Sequence, residues 1–218
     1  TFINTELLYS NEIGADVAEM GFNLMVTEGA KHVLGWKSPN YMYANNINPK
    51  LRLLLRNYRL SDDISLRFAS DCLTTDNYVE RLNEIKDGEV VNVCVDYDNF
   101  GYKYDDSTGI LNFMRYLPEA IFNNTDFEFA KPIEMLDKLQ TMSMFDAPIP
   151  LSCMDEERDL SAWMGNVLQD DALETLYSFA NKVKRNKEED VIRDWNALQD
   201  ANHFYSLCTK YSNVSPYD

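Results

Sequence analysis

Two carboxylates, each following a short apolar run, are the residues of this 218-residue chain best placed to do chemistry. Leu24-Met25-Val26 opens onto Thr27-Glu28-Gly29, and Val90-Val91-Asn92-Val93-Cys94-Val95 opens onto Asp96-Tyr97-Asp98-Asn99-Phe100-Gly101. Short apolar runs between helical patterns are expected to form buried parallel strands. In α/β barrels the reactive groups sit where such strands end. Glu28 and Asp96 are therefore expected to face one shared cleft. Two carboxyl groups so placed can cleave a glycosidic bond with retention, one attacking the sugar and the other handing a proton to the departing oxygen. Taken without context, Glu28 could equally cap the helix that follows it. Asp96 and Asp98, two apart on a strand, share a face and could pair on a metal. A hard cation wants about six oxygen donors, however, and no further ligand cluster joins them. His32 has only His203 as a second imidazole and no cysteine at metal spacing, so it is expected to be a packing residue. No metal and no cofactor is expected.

The elements that would position these carboxylates are legible as periodicity. Residues 6–20 carry helical spacing, with Leu7, Leu8, Ile13, Val17 and Met20 on one side and Gly21 as the stop. Residues 36–49 have loop chemistry, in which Trp36 and Tyr41 could stack on sugar rings or latch the loop down. Apolar periodicity returns over residues 51–68 and breaks at Ser61-Asp62-Asp63, where Ser61 or Asp62 could cap a following helix and Arg59, Asp62 and Asp63 are expected to act as helix-cap and ion-pair scaffolding. A helix over 78–85, ended by Asp87-Gly88, leads into the second apolar run. Beyond Gly101 the spacing predicts a helix from about Gly109, interrupted at Pro118, then a strand at Phe127-Glu128-Phe129 and a helix start at Pro132. Strand and helix alternate, so the class is α/β. From Asp155 onward helical spacing recurs without strands, which predicts a helical bundle. The expected domains are thus 1–150 and 151–218. In the second, Asp159 and Asn166 are expected to be structural, Trp163 is more a core residue than a sugar platform, and residues 182–190 are a solvated helix junction.

A formal net charge of −16 and a pI of about 4.4 argue against a nucleic-acid binder, which needs clustered Lys and Arg. A neutral glucan meets no such repulsion. Cys72, Cys94, Cys153 and Cys208 are widely spaced and form no short-spacing pair, so they are expected to be buried thiols in a reducing, cytoplasmic setting. No membrane partner is expected, because no run approaches the length of a span. The chain opens at Thr1-Phe2-Ile3-Asn4, which looks like the middle of a larger unit.

Six blocks in order carry a resemblance. They are Asn4-Thr5-Glu6-Leu7-Leu8-Tyr9-Ser10-Asn11-Glu12; Val26-Thr27-Glu28-Gly29-Ala30 running into Leu34-Gly35-Trp36-Lys37-Ser38-Pro39-Asn40-Tyr41; Leu54-Leu55-Arg56-Asn57-Tyr58-Arg59-Leu60-Ser61-Asp62-Asp63; Asp96-Tyr97-Asp98-Asn99-Phe100-Gly101; Arg158-Asp159-Leu160-Ser161-Ala162-Trp163-Met164-Gly165-Asn166; and Asn202-His203-Phe204-Tyr205. Over essentially its whole length the chain resembles glycoside hydrolase family 57, the α-amylase-like retaining glucan-processing enzymes. The resemblance implies part of a distorted (β/α)7 barrel followed by a C-terminal helical bundle, acting on α-1,4-linked glucans without a nucleotide or redox cofactor. It implies Glu28 as nucleophile and Asp96 as acid/base, with Trp36, Tyr41, Asp98 and Trp163 as substrate-binding candidates. The chain departs from the family pattern at Asp98, usually Glu, at Tyr102-Lys103, usually Glu-His, and at Ala201-Asn202-His203, usually Ser-Asp-His. The family's N-terminal barrel segment, with its His-Gln-Pro strand, has no counterpart here. The resemblance therefore implies the C-terminal portion of a catalytic unit, completed by a segment in cis or on a partner chain. A glucanotransferase or branching enzyme would use the same pair, and an incomplete barrel could survive as a glucan-binding module.

Overall fold

The computed structural model describes residues 1–210, which fall into two compact units, Thr1–Cys153 and a second beginning at Met154. The first unit is organised by a five-stranded sheet. Its strands are β1 (Phe2–Ile3), β2 (Leu24–Glu28), β3 (Met42–Asn45), β4 (Arg52–Arg56) and β5 (Thr141–Phe145), in the spatial order β1-β2-β4-β3-β5. β1, β2 and β4 run parallel; β3 is antiparallel to β4 and parallel to β5. The class is α/β, with a mostly parallel sheet. Side chains alternate between faces of a strand, and β2 and β4 are apolar on both. Met25, Leu53, Leu55 and Tyr43 pack with Tyr9 and Val17 on one face, while Leu24, Val26, Leu54 and Met42 pack with Leu7 and Met135 on the other.

Helices flank the strands. α1 (Asn11–Glu19) is capped by the Ser10 hydroxyl, which accepts from the Ile13 amide, and it stops before Gly21 at φ 90°. α2 (Lys31–Leu34), α3 (Tyr58–Ser65), α4 (Thr75–Asn83), α5 (Ile110–Asn124) and α6 (Met135–Lys138) follow in order. α3, α4 and α5 share a separate core built on Leu60, Ile64, Phe68, Tyr78 and Phe113.

Four expectations are corrected. The helix expected over 6–20 begins only at Asn11, because Glu6 and Leu7 adopt left-handed backbone conformations. Residues 90–95 are not a strand. They follow the end of β4 with a single bridge, Asn92 opposite Arg56. The reason is topological: β4 is interior, and β3 occupies its free edge as far as the Met42–Leu54 pair, so only the last two residues of β4 stay open for pairing. Phe127-Glu128-Phe129 is likewise irregular, and the fifth strand is Thr141–Phe145. α5 continues through Pro118 rather than being interrupted there.

In the second unit, α7 (Val167–Ser178) is capped by Asn166, whose amide also donates to the Leu207 carbonyl, as a structural role requires. Buried Gln169 donates to the carbonyls of Ala162 and Phe204 and accepts from the Gly165 amide. α8 (Ala180–Arg185), α9 (Glu189–Leu198) and α10 (Ala201–Tyr205) complete the described part, with Trp195 edge-on to Tyr177 at 6.1 Å. No helix among the described residues is long and apolar enough to cross a membrane. All four cysteines are free thiols, but of the four expected to be buried only Cys208 is; Cys94 and Cys153 are half-buried and Cys72 is exposed.

Candidate active site at the carboxyl end of the sheet

Glu28 is the last residue of β2, and parallel register sets it directly opposite Arg56, the last residue of β4. Both side chains project from the same sheet face as Val26 and Leu54, by the two-residue repeat. Arg56 is held at three points. Its Nη1 donates to Glu28 Oε2 at 2.9 Å, its Nη2 to Asp62 Oδ1 at 2.7 Å and its Nε to the Cys94 carbonyl at 2.9 Å. The other Glu28 oxygen accepts from the Gly29 amide at 2.8 Å. Glu28 has 0% of its surface exposed, and Arg56 and Asp62 only 3% each. Burial opposes the Arg56 charge, but Glu28 and Asp62 outweigh it and push the guanidinium pKa up. The local sequence builds this directly. Asn57 ends β4 and caps α3 by accepting from the Leu60 amide, so Asp62 returns along α3 to the end of the strand it has just left. Ser61, between them, donates to the Asn57 carbonyl and accepts from the Cys94 amide at 3.1 Å, which fixes the coil that leads to Asp96.

Asp96 lies in the opposite setting. It is exposed, precedes a single 3-10 turn (Tyr97–Asn99), and makes no side-chain cap bond to that turn. Its charge nevertheless meets that of Glu28 at one group. The Cys153 thiol is pushed up first by burial, is lowered by Arg56, and is raised by Glu6, Glu28 and Asp96 together. Three carboxylates thus act on Cys153, from the Thr5–Leu7 turn, the end of β2 and the 90–96 coil. Glu6 reaches it through strained backbone: Glu6 and Leu7 have φ of 50° and 51°, uncommon for residues with a Cβ. The Leu7 carbonyl accepts from the Thr27 hydroxyl at 2.9 Å, and the Cys153 thiol donates to Glu6 at 3.5 Å. Burial, then Asp96, raises the Glu6 pKa above its ordinary 4.5.

The remaining predicted residues are scattered. Trp36 stands 86% exposed after α2. Tyr41 is half-buried with its hydroxyl donating to Asp87, which is the latch arrangement. Asp98 is exposed, and its carbonyl accepts from the Lys103 amide at 2.9 Å. Trp163 is half-buried in the second unit. His32 is exposed on α2, not a packing residue. Asp62 and Asp63 are ion-paired as scaffolding, Asp62 to Arg56 and Asp63 to Arg67 and Arg81. The one carboxylate trio among the described residues with metal-like closeness, Asp155, Glu157 and Asp159, is elsewhere in the chain, and the Lys210 ammonium lies 3.7 Å from Asp155.

Sequence reasoning passed over four residues. Arg56 is the first, and its signal was available: two apolar runs of equal length, each ending in a charge of opposite sign. Glu6 lay inside a quoted block. Tyr97 and Tyr102, 86% and 87% exposed, flank the Asp96 turn as bare aromatic rings, and adjacency to Asp96 would have found them.

Residues 1–150 match the model of glycosyl hydrolase family 57. The chain is 37% identical over 219 aligned residues to a Methanocaldococcus jannaschii protein named "Putative alpha-amylase", an alignment that covers 94% of this chain and 46% of that relative. The chain thus spans about half the length of the curated relative it matches. With a family match over its first 150 residues and a relative at this identity, the chain belongs to glycosyl hydrolase family 57.

Proposed function

We propose that this chain carries the reacting carboxylates of a retaining α-1,4-glucan hydrolase of α-amylase type, with Glu28 as nucleophile and Asp96 as acid/base. The observation that supports the reading is the place of Glu28 at the carboxyl end of β2, beside a coil leading to Asp96 that is tied to the end of β4 and to α3 through Arg56 and Ser61, in a chain of this family. In the first step a Glu28 oxygen bonds to the anomeric carbon as the glycosidic C–O bond breaks, and the Asp96 proton passes to the departing oxygen. In the second, Asp96 takes a proton from water, whose oxygen replaces the Glu28 ester. Arg56 pairs with Glu28 at 2.9 Å and orients its carboxylate, while Asp96 is exposed at the turn, open to a departing group and to water. Tyr97 and Tyr102 offer faces for sugar rings. Asp98, Trp36 and Tyr41 stay candidates for sugar contact, as does Trp163 from the second unit. Residues 1–150 would be the C-terminal part of a (β/α)7 barrel, and residues 151–218 a helical bundle. The remaining barrel segment would come in cis or from a partner chain, in a cytoplasmic setting. A transferase differs only in that a sugar hydroxyl replaces water.

The complete burial of Glu28 favours a second reading, a glucan-binding module in which the Glu28–Arg56–Asp62 network is purely structural. Hydrolysis requires Glu28 to be uncovered. Incubating the full-length gene product with a linear malto-oligosaccharide decides among these. Reducing ends rise under hydrolysis, stay level while chain lengths redistribute under transfer, and neither changes for a binding module.

A further inference from the structure

Beside the β4–α3 turn lies a cavity of about 610 Å3, within the range that takes small molecules. Neither Glu28 nor Asp96 lines it. Its wall is unusual for a chain of net charge −16: six cationic side chains, Lys31, Lys37, Arg59, Arg67, Arg81 and Lys86, face three carboxylates, Asp63, Glu84 and Asp87. The carboxylates are partly spent. Asp63 serves two guanidinium groups at once, Arg67 through Oδ1 and Arg81 through Oδ2, both at 2.7 Å, and Asp87 accepts from the Tyr41 hydroxyl. Lys31, Lys37, Arg59 and Lys86 pair with no carboxylate among the described residues. Lys37 and Lys86 donate to backbone carbonyls, and Arg59 lies over the Tyr58 ring. The wall also contains Asn57, Tyr58, Arg59 and Leu60, the cap and first turn of the eight-residue α3, whose dipole favours an anion although the Leu60 amide already serves the Asn57 cap. A neutral glucan makes no use of such a field.

We propose that this cavity binds the phosphate of a small phosphomonoester, seated at the first turn of α3 and neutralised by Arg59, Lys31 and Lys86. Guanidinium forks and helix amino ends both match the geometry and charge of a phosphate. The site is independent of the glycosidase assignment, since it shares no side chain with the proposed reacting pair.

The test is calorimetric titration of the full-length protein with inorganic phosphate, glucose 6-phosphate and glucose, repeated on Arg59→Glu/Lys86→Glu. Both changed side chains are exposed, so folding, checked by circular dichroism, is expected to survive. Saturable binding of both phosphate compounds but not of glucose is expected, and it should weaken at least about tenfold in the variant, the scale of one lost charge-assisted hydrogen bond. Equal affinity for the two compounds identifies free phosphate as the ligand, and tighter binding of glucose 6-phosphate identifies a sugar phosphate. Absence of saturable phosphate binding to the wild type, or unchanged affinity in the variant, overturns the proposal. A single Lys31→Glu change is a second arm that leaves α3 intact: the same loss is expected, and undiminished binding again counts against the site.

Discussion

The ends of β2 and β4 and the turn at Asp96 hold the two acidic groups of this site in contrasting environments. Glu28 has no exposed surface and spends both oxygens on protein partners, Arg56 Nη1 and its neighbouring amide. Asp96 is exposed, on a one-turn 3-10 element with no side-chain cap bond. The difference suits the roles proposed for the two groups, attack by one and proton transfer by the other. It also separates stability from activity: the β2–β4 end should respond to mutation in both, the Asp96 turn in activity alone.

Removing the attacker gives the largest expected effect. Glu28→Gln keeps the shape but lacks the charge, so turnover of a malto-oligosaccharide should fall by more than about 10⁴-fold, as for an enzymatic nucleophile. Retained glucan binding, measured in parallel, would keep the loss specific to chemistry; a variant with most of its activity would return the site to a structural charge network. Next comes Arg56→Met. Two buried carboxylates, Glu28 and Asp62, then lose their shared cation, and removal of one partner from such a pair costs about 3–5 kcal/mol. The loss should be pH-dependent. Two buried carboxylates with no cation between them are penalised in their charged forms, so urea midpoints should move toward wild type as pH falls. A destabilisation independent of pH would mean that packing of the Arg56 stem, not its charge, is what matters. Asp96→Asn sharpens the contrast. Loss of the acid/base should slow turnover about 10²–10⁴-fold, yet the unfolding free energy from urea titration should change by less than about 0.5 kcal/mol because the group is on the surface.

The legible and the illegible parts of the fold divide along the same line. β2 and the Glu28 position were readable because five residues buried on both faces leave a continuous apolar run with a charge at its end. The 90–95 run has the same composition but no free strand edge to join, a constraint set by where β3 lies and invisible in local sequence. Thr141–Phe145 escaped notice for the converse reason, since its alternating, half-exposed Thr-Met-Ser-Met-Phe pattern on a sheet edge carries little apolar signal. Arg56 escaped because its meaning depends on register: it becomes part of the site only when Glu28 is set across from it. The left-handed turn at Glu6 and Leu7 had no glycine to announce it.

Glu6 supplies the smallest effect and a direct check on how close Asp96 comes to the buried group. Burial and Asp96 raise its pKa in the folded chain. A raised carboxyl binds its proton more tightly folded than unfolded, so its favourable contribution is complete below the unfolded value and is lost as pH rises through the folded one. At pH 7 the ionised Glu6 is therefore a modest liability. Glu6→Gln should raise the urea midpoint at pH 7 and leave it unchanged near pH 4, with a gain well under about 1 kcal/mol because the half-exposed carboxyl is screened by solvent. Combining it with Asp96→Asn tests the coupling: if the two charges repel one another, the gain from Glu6→Gln shrinks when Asp96 is already neutral. A gain of the same size in both backgrounds would show that burial alone sets the Glu6 shift and would remove Asp96 from the groups that act on Glu6.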